Sequence, residues 1–320
     1  MENLMSNVDS CRLCGARSPK VLFAVDFVDI IECTSCGFRF PAKLPSPDEL
    51  SRHYDNAYSG TRFIKGQRVN AETNLNILRR LLPSLNGLRI LDVGSGYGFL
   101  AKALNDISGT TCHGLEISQD LRIYAQENLG ISVFSDFSEI TEIYDLVISF
   151  EVLEHIADPL SFMKAIVALL SDSGKVILGT DNFKSSSVLS MGPRFPKWIP
   201  QEHISCFTPM SIRLMLNNVP GIAIKSISTY VTWEMRLASI ALIISNTVRV
   251  LVRRYPVSSI NYSVSKDITS PPSCLPDHRK YKLFRLRLLL NPIVALATLS
   301  CRQDNEMFVV EATRVQSVGS

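Results

Sequence analysis

The middle of the chain alternates short apolar runs with longer stretches of helical spacing. LRILDV (Leu88–Val93) is a continuous apolar run of the buried-strand type, and Phe99–Leu104 has helical spacing after a glycine-rich turn. The rhythm continues through HGLEIS, QDLRIYAQEN, ISVFSD, YDLVISF, SFMKAIVALL and GKVILGTD. Strands alternating with helices argue for a parallel, doubly wound sheet, whose ligands bind beyond the carboxyl ends of the strands where strand order reverses. NAETNLNILRRLLPSL, upstream, also has helical spacing. Downstream, KWIPQEHISCFTPMSIRLMLNN predicts a loop carrying Gln201, Glu202 and His203, then a helix. Thr208 suits its N-cap, Pro209 its first position, and Ile212, Met215 and Leu216 its core face. GIAIKSISTYV and MFVVEATR read as a sixth and a seventh strand.

Composition adds limits. The 320 residues are 46% hydrophobic and 20% charged, which is ordinary for a globular chain of one large or two unequal domains. A chain of this length buries a core without disulfide staples. A net charge of +3 implies no global attraction to nucleic acid. The charge is uneven, however: between Glu234 and Arg302 eleven Lys/Arg face three Asp/Glu. The opening MENLMSNVDSCRLC has no basic start followed by an apolar run, so the cytosol is the expected compartment. LASIALIISNTV and LLLNPIVALATLSC fall short of the roughly 20 residues of a spanning helix.

The cysteines define a first domain. Cys11, Cys14, Cys33 and Cys36 form C-x2-C-x18-C-x2-C, which offers four thiolates to one tetrahedral Zn²⁺. Gly15 and Gly37 follow the two pairs, where the tight turn asks for positive φ. A redox dithiol would explain only one pair. Cys112, Cys206, Cys274 and Cys301 lack such a pattern and are expected as packed free thiols. Residues 1–60 hold six Lys/Arg against eight Asp/Glu, the wrong balance for phosphate binding. The ribbon is therefore expected to be structural or substrate-facing. PAKLPSPDEL follows as a linker leading into a helix around Pro47–Tyr54.

The loop Gly94-Ser95-Gly96-Tyr97-Gly98 has Phe99 where a dinucleotide fingerprint wants glycine, and Asp92 just ahead of it would repel a pyrophosphate but suit a cation. LDVGSGYG, GLEIS and YDLVISFEVLEH together resemble the class I S-adenosylmethionine-dependent methyltransferases, over about residues 87–232, and NEMFVVEATR looks like their final antiparallel strand. The resemblance implies roles. Gly94, Ser95, Gly96 and Gly98 would receive the methionine part of the cofactor, with Asp92 near its amino group or organising the loop. Glu116 would accept from both ribose hydroxyls, with Ile117 beside it; Asp136 would accept from the adenine amino group, flanked by Phe137. Phe150 would line the methyl donor. Asp92 could equally be a cap or turn residue, and Asp136 an ordinary turn aspartate.

In EVLEHI, spacings of three and four put Glu151, Glu154 and His155 on one face if the segment is helical. Three readings compete, ranked as given: glutamates complementing a helix dipole, a histidine general base, or a divalent ion as in some ubiquinone-pathway O-methyltransferases with a similar segment. His203 is a second base candidate, since similar His-x-x-x-Phe-Thr segments recur in methyltransferases of sugar and surface-polysaccharide pathways. The catalytic candidates are thus His203, His155 and Glu151. Tyr54 and Tyr58 would close over the cofactor.

The expected architecture is α/β: a Rossmann-like seven-stranded sheet with the last strand antiparallel. Its segments are a zinc ribbon (1–45), a linker and helical lid (46–86), the methyltransferase core (87–233), a helical insertion (234–303) and a final strand and tail (304–320). The expected cofactors are S-adenosylmethionine and a structural Zn²⁺. The expected acceptor is a small molecule or a nucleotide- or lipid-linked sugar in surface-glycan synthesis, and nucleic acid is disfavoured. The basic apolar insertion is either a cap on the core or a surface that touches the inner face of an anionic membrane. The alternatives are a zinc-ribbon RNA methyltransferase, a non-catalytic binding protein on the same fold, or a nicotinamide oxidoreductase, which Phe99 opposes.

Overall fold

The computed structural model describes residues 10–46, 49, 61–230 and 307–315. The helix expected around Pro47–Tyr54 (Glu49 apart), Tyr54, Tyr58, the insertion 234–303, Cys274 and Cys301 lie outside the described residues.

The amino-terminal part is a three-stranded antiparallel sheet of β1 (Pro19–Val25), β2 (Val28–Cys33) and β3 (Arg39–Pro41). A long helix, α1 (Thr61–Leu81), leads to the main sheet. That sheet contains β4 (Arg89–Val93), β5 (Thr111–Leu115), β6 (Val133–Phe134), β7 (Tyr144–Phe150), β8 (Leu170–Asp181), β9 (Ile222–Tyr230) and β10 (Met307–Arg314). Its order is β6-β5-β4-β7-β8-β10-β9, with β10 antiparallel to both neighbours and β4 to β8 parallel. The predicted seven strands and the reversed last strand are all present.

Helices α2 (Phe99–Asn105), α3 (Gln119–Leu129), α4 (Pro159–Ala168), α5 (Ser186–Met191) and α6 (Pro209–Asn217) connect them. The predicted cap of α6 is formed as a reciprocal pair, Thr208 and Ser211, with Pro209 inside the first turn. β4 is buried on both faces after Arg89, as a central parallel strand must be. Strand order reverses between β4 and β7, so the crevice at their carboxyl ends is the place for a ligand.

The apolar interior has two parts, one on each side of the sheet. Ile77, Leu78, Leu100 and Leu104 of α1 and α2 fill one. The other contains Met163 of α4, Ile212 and Met215 of α6, and also Leu13, Phe38 and Phe40 of the cysteine-bearing module. That module therefore shares a core with the larger domain. No helix among the described residues is long and apolar enough to cross a membrane.

Candidate functional site

At the carboxyl ends of β4 and β5 the backbone does most of the positioning. Gly94 has φ 77°, and a Cβ there would lie 2.2 Å from Val152 Cγ2, so conformation and space both require glycine. Gly94 N–H and Ser95 N–H both donate to the carbonyl of Leu115, at 2.7 and 3.1 Å. Glu116 is buried and braces the loop: one carboxylate oxygen accepts from Gly96 N–H at 2.9 Å, the other from Ser118 N–H at 2.9 Å. Each oxygen keeps a second lone pair for a ligand hydroxyl. Burial raises the Glu116 pKa against those hydrogen bonds.

Asp92 is buried beside this loop, and burial, reinforced by the Glu116 charge, pushes its pKa up to about 7. A cationic ligand would restore its ionised form. Ser95 Oγ is buried without a hydrogen-bond partner. Ile117 is 72% exposed next to Glu116, an apolar platform at the crevice. Phe150 ends β7, and Gly179 on β8 makes room for its ring: a Cβ there would meet Phe150 Cδ1 at 2.3 Å. Asp136 and Phe137 have local roles. Exposed Asp136 caps a single 3-10 turn by accepting from Ser138 N–H at 2.8 Å, and Phe137 packs edge-on against Phe162.

The ends of β7 and β8 are different, because charged side chains define them. EVLEHI does not form the helical face its spacing suggests. Glu151 precedes a single 3-10 turn, Leu153–His155, and has φ 56°, a strained conformation for a residue with a side chain. The short helix expected before Pro159 is that single 3-10 turn, with Glu154 in it and Glu151 ahead of it, and Asp158 caps the α4 helix that follows. The three side chains diverge. Glu151 accepts from Asn70 Nδ2 at 3.1 Å and lies 3.7 Å from Lys197 Nζ. Glu154 is buried under β8 and accepts from Thr180 Oγ1 at 2.6 Å. Burial, then the Asp181 charge, pushes its pKa up to about 8. His155 stands edge-on to His203, with ring centroids 4.9 Å apart.

The sequence candidates His155 and His203 thus meet, although 48 positions separate them. His203 Nδ1 lies 2.8 Å from the Lys197 carbonyl and His155 Nδ1 3.1 Å from that of Glu202. Both contacts assign the ring proton to Nδ1, since a carbonyl only accepts. Burial lowers both pKa values, that of His203 to about 3, so both imidazoles are neutral near pH 7. Glu154, His155 and His203 each bring one ligand-capable atom within 4.8 Å of the others. In that cluster His203, rather than Glu151, joins the pair.

Sequence reasoning missed two central groups. Asp181 ends β8, fully buried, with one oxygen hydrogen-bonded to Lys197 Nζ and the other, without a hydrogen-bond partner, 3.7 Å from His203 Nδ1. Asp181, Glu151 and Glu154 raise the Lys197 pKa, outweighing the opposite effect of burial. A carboxylate at the carboxyl end of a strand was a readable signal for Asp181. Lys197 lies in a loop and carried none. Gln67 and Asn70 of α1 reach the same crevice, against Gly96 and Glu151 respectively.

In the amino-terminal module the four cysteine sulfurs lie within 4.8 Å of one another, with Cys11–Cys36 and Cys14–Cys33 each 3.6 Å apart. A tetrahedron with metal–sulfur bonds of about 2.3 Å has edges of about 3.8 Å, so the donors match one tetrahedral ion. Cys112 and Cys206, as expected, are buried free thiols.

Comparison with known proteins agrees with this geometry. A family model described as a methyltransferase domain matches residues 67–219. A ubiquinone biosynthesis O-methyltransferase of Vibrio atlanticus is 30% identical over 162 residues, covering 46% of this chain and 68% of the relative. One from Dinoroseobacter shibae is 32% identical over 130 residues, covering 36% of this chain and 51% of the relative. The chain spans about half the length of most of these curated relatives. A solved S-adenosylmethionine-dependent methyltransferase of Thermotoga maritima superposes with a TM-score of 0.49 at 14% identity, covering 82% of this chain and 97% of that one. With the sheet order, the glycine loop and the Glu116 brace in place, the chain belongs to the class I S-adenosylmethionine-dependent methyltransferases.

Proposed function

We propose that the protein transfers a methyl group from S-adenosylmethionine to a small, hydroxyl-rich acceptor, an activated sugar of surface-glycan synthesis, with His203 as general base and His155 as its partner. The observation that carries this reading is the pair of largely buried imidazoles set edge-on to one another beyond the loop that would hold the methyl donor. With its proton on Nδ1, His203 keeps a lone pair on Nε2 to take the acceptor proton as the nucleophile attacks in line. Asp181, 3.7 Å from Nδ1, then stabilises the imidazolium. Glu151 faces the crevice, where its carboxylate orients acceptor hydroxyls. The remaining contribution is positioning and exclusion of water, because the methyl moves directly between the two ligands. Carboxylates and imidazoles on this side suit a polyhydroxylated acceptor better than a hydrocarbon one.

Asp92, the Gly94–Gly98 loop, Glu116 and Ile117 would hold the cofactor, whose sulfonium supplies the methyl. Cys11, Cys14, Cys33 and Cys36 would hold a structural Zn²⁺. Calorimetry should register S-adenosylmethionine and not NADH; the reverse result would sink the reading. Glu116→Ala should weaken cofactor binding at least a hundredfold. With nucleotide sugars as acceptors and the demethylated cofactor as readout, His203→Asn should lower kcat at least a hundredfold and leave cofactor affinity within twofold. Unchanged turnover would remove His203 from the chemistry.

The clustering of Glu154, His155 and His203 donors favours a second reading, a divalent ion at this point. Metal analysis distinguishes the two. One ion per chain beyond the zinc, lost in His203→Asn, supports the ion; its absence from protein purified with Mn²⁺ or Mg²⁺ leaves the imidazoles as bases.

A further inference from the structure

The cysteine-bearing module is joined to the histidine side of the crevice at three points, and each lies next to a segment that carries a candidate group. Arg12 sits between the first two cysteines. Its guanidinium donates to the carbonyl of Ala157 at 3.0 Å, two residues after His155, and to the carbonyl of Ile204, immediately after His203. The same guanidinium lies over the rings of Phe38 and Phe40, with centroids 5.8 and 5.1 Å away, so its direction is fixed. Arg39, three residues after the last cysteine, exchanges backbone hydrogen bonds with Cys206 at 3.0 and 2.9 Å, which extends the small sheet into the His203 loop. Its side chain donates to the carbonyl of Phe183, two residues after Asp181, and holds Glu32 at 2.6 Å. The second cysteine turn presses on the same loop: Gly37 has φ 70°, and a Cβ on it would lie 3.0 Å from Thr208 Oγ1.

Two arginines and one glycine from a 30-residue module thus reach the segments after His155, Asp181 and His203, and ordinary packing would not single out those three. We infer that the module is a positioning element for the acceptor half of the site, and that Arg12 is its principal positioning residue: by holding the carbonyls of Ala157 and Ile204 it sets the spacing of His155 and His203. Hydrogen bonds from a charged donor to a carbonyl are stronger than neutral ones, and two from one guanidinium tie the two loops to a common point. The metal, if present, fixes the turn from which Arg12 projects. What this geometry serves rests on the proposed base role of the histidines; the geometry itself does not.

The test uses the full zinc-loaded chain and needs no acceptor. Arg12→Met keeps the aliphatic stem and removes the donors. Amide hydrogen exchange in peptides spanning 199–208 and 153–158 should rise at least tenfold, while the peptide spanning 92–98 and the calorimetric affinity for S-adenosylmethionine stay within twofold. In ¹⁵N-histidine spectra His155 and His203 should leave the Nδ1–H pattern. Release of zinc with a thiol-reactive mercurial should produce the same selective rise. Unchanged exchange at 199–208, or a uniform rise across all peptides, would overturn the proposal and reduce Arg12 to a stabilising contact. If Arg12→Met does not fold, Arg12→Lys decides: a smaller rise confined to the two loops supports the proposal, and a uniform rise or none overturns it. Failure here leaves the methyl-transfer reading standing, whereas loss of S-adenosylmethionine binding would sink that reading and not this one.

Discussion

The two halves of the crevice are built in different ways. The half at β4 and β5 is held by backbone: glycines at positive φ, N–H groups on the Leu115 carbonyl, and a single carboxylate, Glu116, tied to the amides of Gly96 and Ser118. The half at β7 and β8 is held by side chains from distant segments: Asn70, Glu151, Glu154, Asp181, Lys197 and His203, with Arg12 and Arg39 behind them. A cofactor shared by many enzymes needs a fixed cradle, and short-range backbone geometry provides one. An acceptor differs from enzyme to enzyme, and side chains can be exchanged without disturbing the sheet.

Breaking either half should spare the other. Among the described residues Lys197 pairs with both Glu151 and Asp181, and its side chain is only about a quarter exposed. Lys197→Met leaves these carboxylates uncompensated and should cost about 3 kcal/mol of stability in urea unfolding, with S-adenosylmethionine affinity nearly unchanged. A loss under about 1 kcal/mol would mean that the half is not held by charge. Gly94→Ala meets both the φ penalty and the Val152 contact. It should cost about 2 kcal/mol and abolish measurable cofactor binding, while the histidine ring signals stay in place.

The pH dependence sharpens the contrast. Asp92 and Glu154 have native pKa values of about 7 and about 8, above their unfolded values of about 4. Their contribution to stability is complete below about pH 4 and is lost as pH rises through 7 and 8. The histidines act oppositely: with lowered native values, their neutral forms favour folding increasingly as pH rises toward about 6.5. The two effects oppose one another below pH 6.5; above it, of these four groups, the carboxylates alone still titrate. The Tm of the ligand-free protein should therefore fall by a few degrees between pH 6.5 and 8.5, and Glu154→Gln should flatten that fall. A flat wild-type curve would count against both raised pKa values. The smallest effect is expected at Asp136. Asparagine also caps, so Asp136→Asn should leave the urea-unfolding midpoint nearly unchanged and alter cofactor affinity less than threefold. A larger affinity loss would give Asp136 the adenine role its position suggested.

Legibility in the sequence follows the same division. β7 and β10 coincide with the runs YDLVISF and MFVVEATR, because an apolar strand buried on both faces is written contiguously. The glycine loop and Glu116 were legible because each lies in a recognisable short run, LDVGSGYG and GLEIS. EVLEHI was not: its spacing fits a helix, but the chain turns at Glu151 into a positive φ that no pattern announces. His155 and His203 were each visible singly, yet only the fold could bring them together. Arg12 acts through partners 145 and 192 positions away, and no local pattern records such distances.

The sheet order has a consequence for synthesis. β10 lies between β8 and β9, yet about 75 residues separate Tyr230 from its partner Met307. At roughly 5–20 residues per second, a ribosome takes about 4–15 s to add them. During that interval the nascent chain has already emitted β8 and β9, whose facing edges carry unpaired amides and carbonyls. The sheet order therefore makes the β8–β10–β9 pairing wait on the synthesis of those residues.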